Sequence, residues 1–225
     1  TLLQIDTTFR NPNGPAFIRL TSYISGGGPI LLKTRINNID YIFGNALSQT
    51  IKDYVPVRND TPFTLYAEYF NGTTKFEDSI SIPADSFASN SLTSIALFQV
   101  SDGSGPSRLY PYFANDSLKK LPSDEGYSYF RLTNGLPDYP QPTPTVNAYV
   151  DDPNGTPLFT LPVTYQEIRN YIQIQEGQHT IYIKSSIDGQ VLYTLQKSFV
   201  NGLYYTGRLI GRKELGSDQF TIDTE

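Results

Sequence analysis

Apolar and polar residues alternate along most of this chain. In FTLYAEYF, Phe63, Leu65, Ala67 and Tyr69 fall on one face and Thr64, Tyr66 and Glu68 on the other; VNAYV sets Val146, Ala148 and Val150 against Asn147 and Tyr149. A period of two sends successive side chains to opposite faces of an extended backbone, so both segments predict half-buried strands. The same reading fits SIALFQV (94–100), YIQIQ (171–175), TIYIKS (180–185), VLYTLQ (191–196) and LYYTGRLIG (203–211). Between the runs stand Asn71-Gly72, Asp102-Gly103, Asn154-Gly155, Glu176-Gly177, Asp188-Gly189 and Asn201-Gly202. Glycine in the second place accepts the positive φ of a tight turn, so TIYIKSSIDGQVLYTLQ predicts a hairpin closing at Asp188-Gly189. One segment departs from the pattern: ALSQTIKDY places Leu47, Ile51 and Tyr54 at helical spacing, which predicts a turn or a single helical turn between strands. Many short strands without a sustained helical period predict an all-β chain built of antiparallel sandwiches.

The pattern is also written twice. FIRLT, beginning at Phe17, returns as YFRLT at Tyr129, which sets Arg19, Leu20 and Thr21 against Arg131, Leu132 and Thr133; Tyr54 answers Tyr171, and Gly72 answers Gly189. A spacing of roughly 110 to 120 residues is too long for a solenoid repeat and suits an independent domain. Two tandem β-sandwich domains are therefore expected, at 1–118 and 127–225, with a linker at 119–126 inside the polar stretch ANDSLKKLPSDEGY. Pro137, Pro140, Pro142 and Pro144 predict an extended loop in the second domain, where the first has Gly26-Gly27-Gly28-Pro29.

Composition narrows the function. The chain has 17 Tyr and 13 Phe but no Trp, with 17 Gly and 16 Pro, which favours β structure with frequent turns. The net charge is −5: residues 1–115 hold eight Lys/Arg against nine Asp/Glu, and 116–225 hold nine against thirteen. Without a basic cluster to displace counterions, nucleic acid is a poor partner. The absence of cysteine removes disulfides, thiolate zinc sites and cysteine nucleophiles. No apolar stretch approaches the ~20 residues of a membrane span, and TLLQIDTTFR lacks the form of a signal peptide, so the chain as written is expected to be soluble.

Candidate chemistry is sparse. His179 is the only histidine and begins a strand after a turn, which predicts a structural role and leaves a histidine-based triad without partners. A glycosidase needs two carboxylates about 5 to 9 Å apart; Asp151 and Asp152, adjacent at a strand end, point apart. DDPNG (151–155) offers hard oxygens for calcium, yet it lacks the ligand spacing of an EF-hand and has the composition of an ordinary turn. The sequons at Asn59, Asn71, Asn115 and Asn154 also lie in turn-rich stretches. No enzyme activity, cofactor or metal is expected. Tyrosine is the residue closest to function, because a flat apolar ring with a hydroxyl suits sugars and interfaces alike; Tyr110, Tyr112 and Tyr139, in proline-containing segments, are the candidates, weighed against a plain packing role.

The order FRLTNGLPD, VNAYVDD, LPVTYQEI, YIQIQEGQHTIYI and FVNGLYYTGRLIG resembles the tandem envelope domains known as domain of unknown function 4397. The matching positions are Arg131, Pro137, Asp138, Val146, Tyr149, Val150, Asp151, Tyr171, Gly177, Gly202, Tyr205 and Thr206, across most of 129–211. The first copy is weaker, keeping Arg19, Ile36, Tyr54 and the 63–72 strand and turn. A histidine common after the family's opening strand is Ser22 and Asn134 here. The resemblance implies an immunoglobulin-like sandwich in a secreted or lipid-anchored bacterial envelope protein, often made with a signal peptide that the mature chain no longer shows. It implies no activity. The expected function is thus non-catalytic: presenting an interaction surface to a protein or glycan at the cell surface, in adhesion or surface assembly. The alternative is a surface glycan-binding protein accessory to polysaccharide uptake. The membrane would be reached only through a lipid anchor.

Overall fold

The computed structural model describes residues 14–23, 32–36, 39–43, 49–50, 54–58, 60, 62–71, 74–100, 108–116, 125–136, 145–210 and 219–224. They form seventeen strands and, among the described residues, no helix, so the protein is all-β. The first half contains β1 (Ala16–Tyr23), β2 (Leu32–Ile36), β3 (Ile39–Phe43), β4 (Gln49–Thr50), β5 (Val55–Val57), β6 (Phe63–Asn71), β7 (Thr74–Ile82), β8 (Leu92–Val100) and β9 (Arg108–Asn115). The second contains β10 (Tyr127–Asn134), β11 (Val146–Val150), β12 (Glu167–Ile168), β13 (Ile172–Gln175), β14 (Gly177–Ser185), β15 (Val191–Phe199), β16 (Tyr204–Ile210) and β17 (Gln219–Thr224).

The repeat read in the sequence recurs in the strand pairing. One five-stranded sheet runs β4-β1-β8-β9 with β5 also on β1; the other runs β12-β10-β16-β17 with β13 also on β10. Each is antiparallel except for one parallel pair, β1 with β8 and β10 with β16. Parallel neighbours need a long crossover, and here the intervening strands form that connection. The registers agree as well: Arg19 lies opposite Ser94 and Arg131 opposite Thr206, and 75 residues separate the partners in both cases.

Alternation decides what each face buries. In the second half, Phe130, Leu132, Ile174, Tyr205, Leu209, Phe220 and Ile222 of the five-stranded sheet meet Val146, Ala148, Ile181, Ile183 and Phe199 of the sheet β11-β14-β15, forming one core between two layers. Gly207 stands where the layer is tightest, because a Cβ there would lie 2.9 Å from Phe130 Cζ and 3.1 Å from Leu132 Cδ1. In the first half, the inward residues Ile18, Leu20 and Ile95 of β1 and β8 are buried, as are Val57, Leu65 and Ile82. The predicted hairpin closes as read: β14 pairs with β15, and Gly189 takes φ +71°.

Several expectations lie outside the described residues: the proline loop 137–144, Gly26 to Pro29, most of the 119–126 linker, the turns at Gly72 and Asp102-Gly103, and Leu47 and Ile51. Gln49 and Thr50, between these last two, pair with β1 as a short strand.

Candidate functional site

The outward faces of the two five-stranded sheets carry the polar residues that the alternation keeps out of the cores. On β1 and β8 these are Arg19, Thr21 and Ser94; on β10 and β16 they are Arg131, Thr133, Thr206 and Arg208, and all of them are buried. Charged residues are rarely buried without partners: Arg208 pairs with Asp223 at 3.1 Å, and the partner that Arg19 and Arg131 share is Asp116, just past β9 and only 4% exposed. Arg131 Nη1 donates to its Oδ1 at 2.6 Å, and Arg19 Nη2 donates to its Oδ2 at 3.3 Å. The Tyr54 hydroxyl donates to Oδ2 at 2.8 Å, and the Ser94 hydroxyl bonds to the same oxygen.

Each arginine is held in the same way in its own half. Arg19 donates from Nε and Nη2 to Ser94 Oγ at 3.1 and 2.9 Å, with its guanidinium 5.1 Å from the Tyr54 ring centroid. Arg131 donates from Nε to Thr206 Oγ1 at 2.9 Å and lies 4.5 Å from the Tyr171 centroid. Tyr171 in turn meets Tyr204 edge-on at 5.0 Å, and Tyr204 stacks on Tyr129 at 4.6 Å. Burial, with Tyr129 beside it, raises the Tyr204 phenol above its ordinary value. Two copies of one arginine, hydroxyl and tyrosine unit thus share a single carboxylate. Beside it, Ala96, Tyr112 and Ala114 of the first half pack with Tyr165, Ile168 and Ile210 of the second. The arrangement is buried and joins the two halves.

The sequence-level candidates are placed as follows. Tyr112 is half-buried in that joint, and Tyr139 lies outside the described residues, as does the side chain of Tyr110. His179 has both ring nitrogens engaged: Nδ1 is 2.6 Å from Asp151 Oδ2, and Nε2 is 2.9 Å from the Gln175 carbonyl. A carbonyl can only accept, so Nε2 donates there, and the ring ties the start of β14 to β13 and to the end of β11. Asp151 sits at φ +59°; the Thr180 N–H at 2.8 Å, and after it His179, keeps its carboxyl below the usual 3.8. In the DDPNG turn, Asp152 Oδ1 accepts the Asn154 N–H and the Asp152 carbonyl accepts that of Gly155, so these oxygens close the turn on itself.

The structure also assembles a face that the candidate list missed. Tyr149 of β11 lies directly opposite Tyr182 of β14 on the outward side of the three-stranded sheet. The alternation in VNAYV and TIYIK already sets both rings on polar faces, but only the register brings them together.

No family model matches the chain, and no curated protein matches it either. Among solved structures, the chain is similar to a "putative cell adhesion protein" from Bacteroides ovatus, at 7% identity and a TM-score of 0.27, over 94% of this chain and 98% of that one.

Proposed function

We propose that the chain is a non-catalytic protein of the cell envelope or exterior, in which two sandwich domains of immunoglobulin-like kind act as one stiff unit that presents an interaction surface in adhesion or surface assembly. The observation that carries this reading is the Asp116 joint. The Arg19–Asp116–Arg131 ion pairs are buried in holding the halves together, and a fixed relation between domains suits a protein that displays a surface under load. His179 and the DDPNG turn are likewise engaged in structure. The envelope setting rests on the resemblance of residues 129–211 to the envelope domains named above. A glycan-binding role, accessory to polysaccharide uptake, is favoured by one specific feature, the tyrosine pair on the outward side of β11-β14-β15.

Beads coated with the purified chain test the reading, by their retention under flow on mucin, fibronectin and epithelial cells, alongside light scattering for self-assembly. Retention above a heat-unfolded control, or growth of oligomers with concentration, is expected. A chain that neither adheres nor assembles overturns it.

A further inference from the structure

We infer that the outward face of the sheet β11-β14-β15 is a platform for a polysaccharide chain, with Tyr149 and Tyr182 as the two rings on which successive pyranose units lie. This rests on the reading that the protein presents an interaction surface, and it names that surface and its ligand class. Val146, Ala148, Ile181 and Ile183 point inward and are fully buried, so the alternate positions of the same strands must point out. The register then places Asn147 beside Lys184, Tyr149 beside Tyr182, Tyr182 beside Thr194, and Thr180 beside Gln196.

Three properties of the face select the occupant. The two rings are cross-strand neighbours, yet they do not stack on each other, and among the described residues neither hydroxyl has a hydrogen-bond partner. Each therefore offers a π face to the C–H side of a sugar ring and a free hydroxyl to its rim. Around them stand amides and hydroxyls, Asn147, Thr180, Thr194 and Gln196, which donate and accept as a polyhydroxyl ligand requires. Charge gives the third property. The chain carries −5; on the strand positions of this face the one charge is Lys184, which lies 5.2 Å from the Tyr149 ring centroid and donates to the Pro153 carbonyl at 2.8 Å, and the Asp151 carboxylate, which accepts the Thr180 N–H, stands at its margin. One charge of each sign leaves the face without a dominant field, which suits a neutral sugar chain. A protein partner would need a wider apolar centre than two rings and Val191 at the margin.

Native affinity electrophoresis of the full chain, in gels cast with dextran, xyloglucan, galactomannan, polygalacturonate or mucin, tests this. Retardation is expected in at least one gel, with Y149A/Y182A losing roughly tenfold or more in affinity at an unchanged melting temperature. Tyr127→Ala, exposed and away from this face, should migrate as the parent does. If the double variant fails to fold, Tyr182→Ala alone carries the test, because among the described residues no cation lies over its ring, whereas Lys184 lies over that of Tyr149. No retardation in any gel overturns the platform, as does retardation that the tyrosine variants leave unchanged. A chain that adheres to fibronectin or cells yet ignores all five gels keeps its surface role and loses this ligand class, so the two readings fail separately.

Discussion

At the residue scale, the chemistry of this chain lies in how few polar groups satisfy many. Asp116 accepts from two arginines, a tyrosine and a serine, with Arg131 on Oδ1 and the other three on Oδ2. Asp151 does the same at smaller scale, with one oxygen on the Thr180 N–H and the other on His179. Because its folded pKa is depressed below 3.8, Asp151 stabilises the fold at pH values above that of the unfolded carboxyl, and the contribution is lost as pH falls through the lower folded value. Chemical denaturation of the parent and of Asp151→Asn as a function of pH should therefore show a stability difference that is flat above about pH 5 and shrinks in acid. A difference independent of pH down to the acid transition would refute the assignment. The place of His179 near the head of a strand was legible in EGQHTIYI. Its two acceptors were not, because the Gln175 carbonyl and the Asp151 side chain meet it only once β11, β13 and β14 are assembled.

At the element scale, period-two alternation was the readable signal, and it fails to specify pairing. VNAYV, YIQIQ and TIYIK each name their own inward residues correctly, since Val146, Ala148, Ile174, Ile181 and Ile183 are buried. Alternation is blind to which strands become neighbours, so it could not foresee the parallel pairing of β10 with β16, nor the apposition of Tyr149 and Tyr182. Close approach of layers is a second property that only packing shows. LYYTGRLIG reads simply as a strand, whereas the structure makes its Gly207 the residue that lets β16 lie against Phe130 and Leu132. Replacing Gly207 by Ala should destabilise the fold by about 1–3 kcal/mol, because the new Cβ forces the fully buried Phe130 and Leu132 side chains to shift. Thermal or urea denaturation checks this. A neutral or stabilising substitution, as the higher strand propensity of Ala alone would give, would show that the core yields at this point.

At the scale of the whole molecule, the duplication visible at Arg19 and Arg131 has become a meeting of like faces. The sequence pairs these residues by position; the structure joins them through Asp116, which lies in the very stretch that reads as a polar junction. Nothing in ANDSLKK distinguishes Asp116 from its neighbours, because its role depends on two distant strands arriving beside it. The energetic consequence follows from burial. Removing a carboxylate from between two buried guanidiniums breaks the ion pair that each makes with it, which typically costs about 3–5 kcal/mol, whereas replacing the whole cluster by apolar residues of similar size is often neutral. Asp116→Ala should therefore lose about that much, and since the core of the second half is built from its own two sheets, the loss should fall on the joint first. Calorimetry would then show the single transition of the parent resolving into two, with small-angle scattering reporting a larger and more variable extent before either half melts. Combining Asp116→Leu with Arg19→Met and Arg131→Met should bring back one transition and a compact particle. If Asp116→Ala melts as the parent does and keeps its dimensions, the clamp contributes nothing, and the halves are held by the small apolar contact around Ile168 and Ile210 instead.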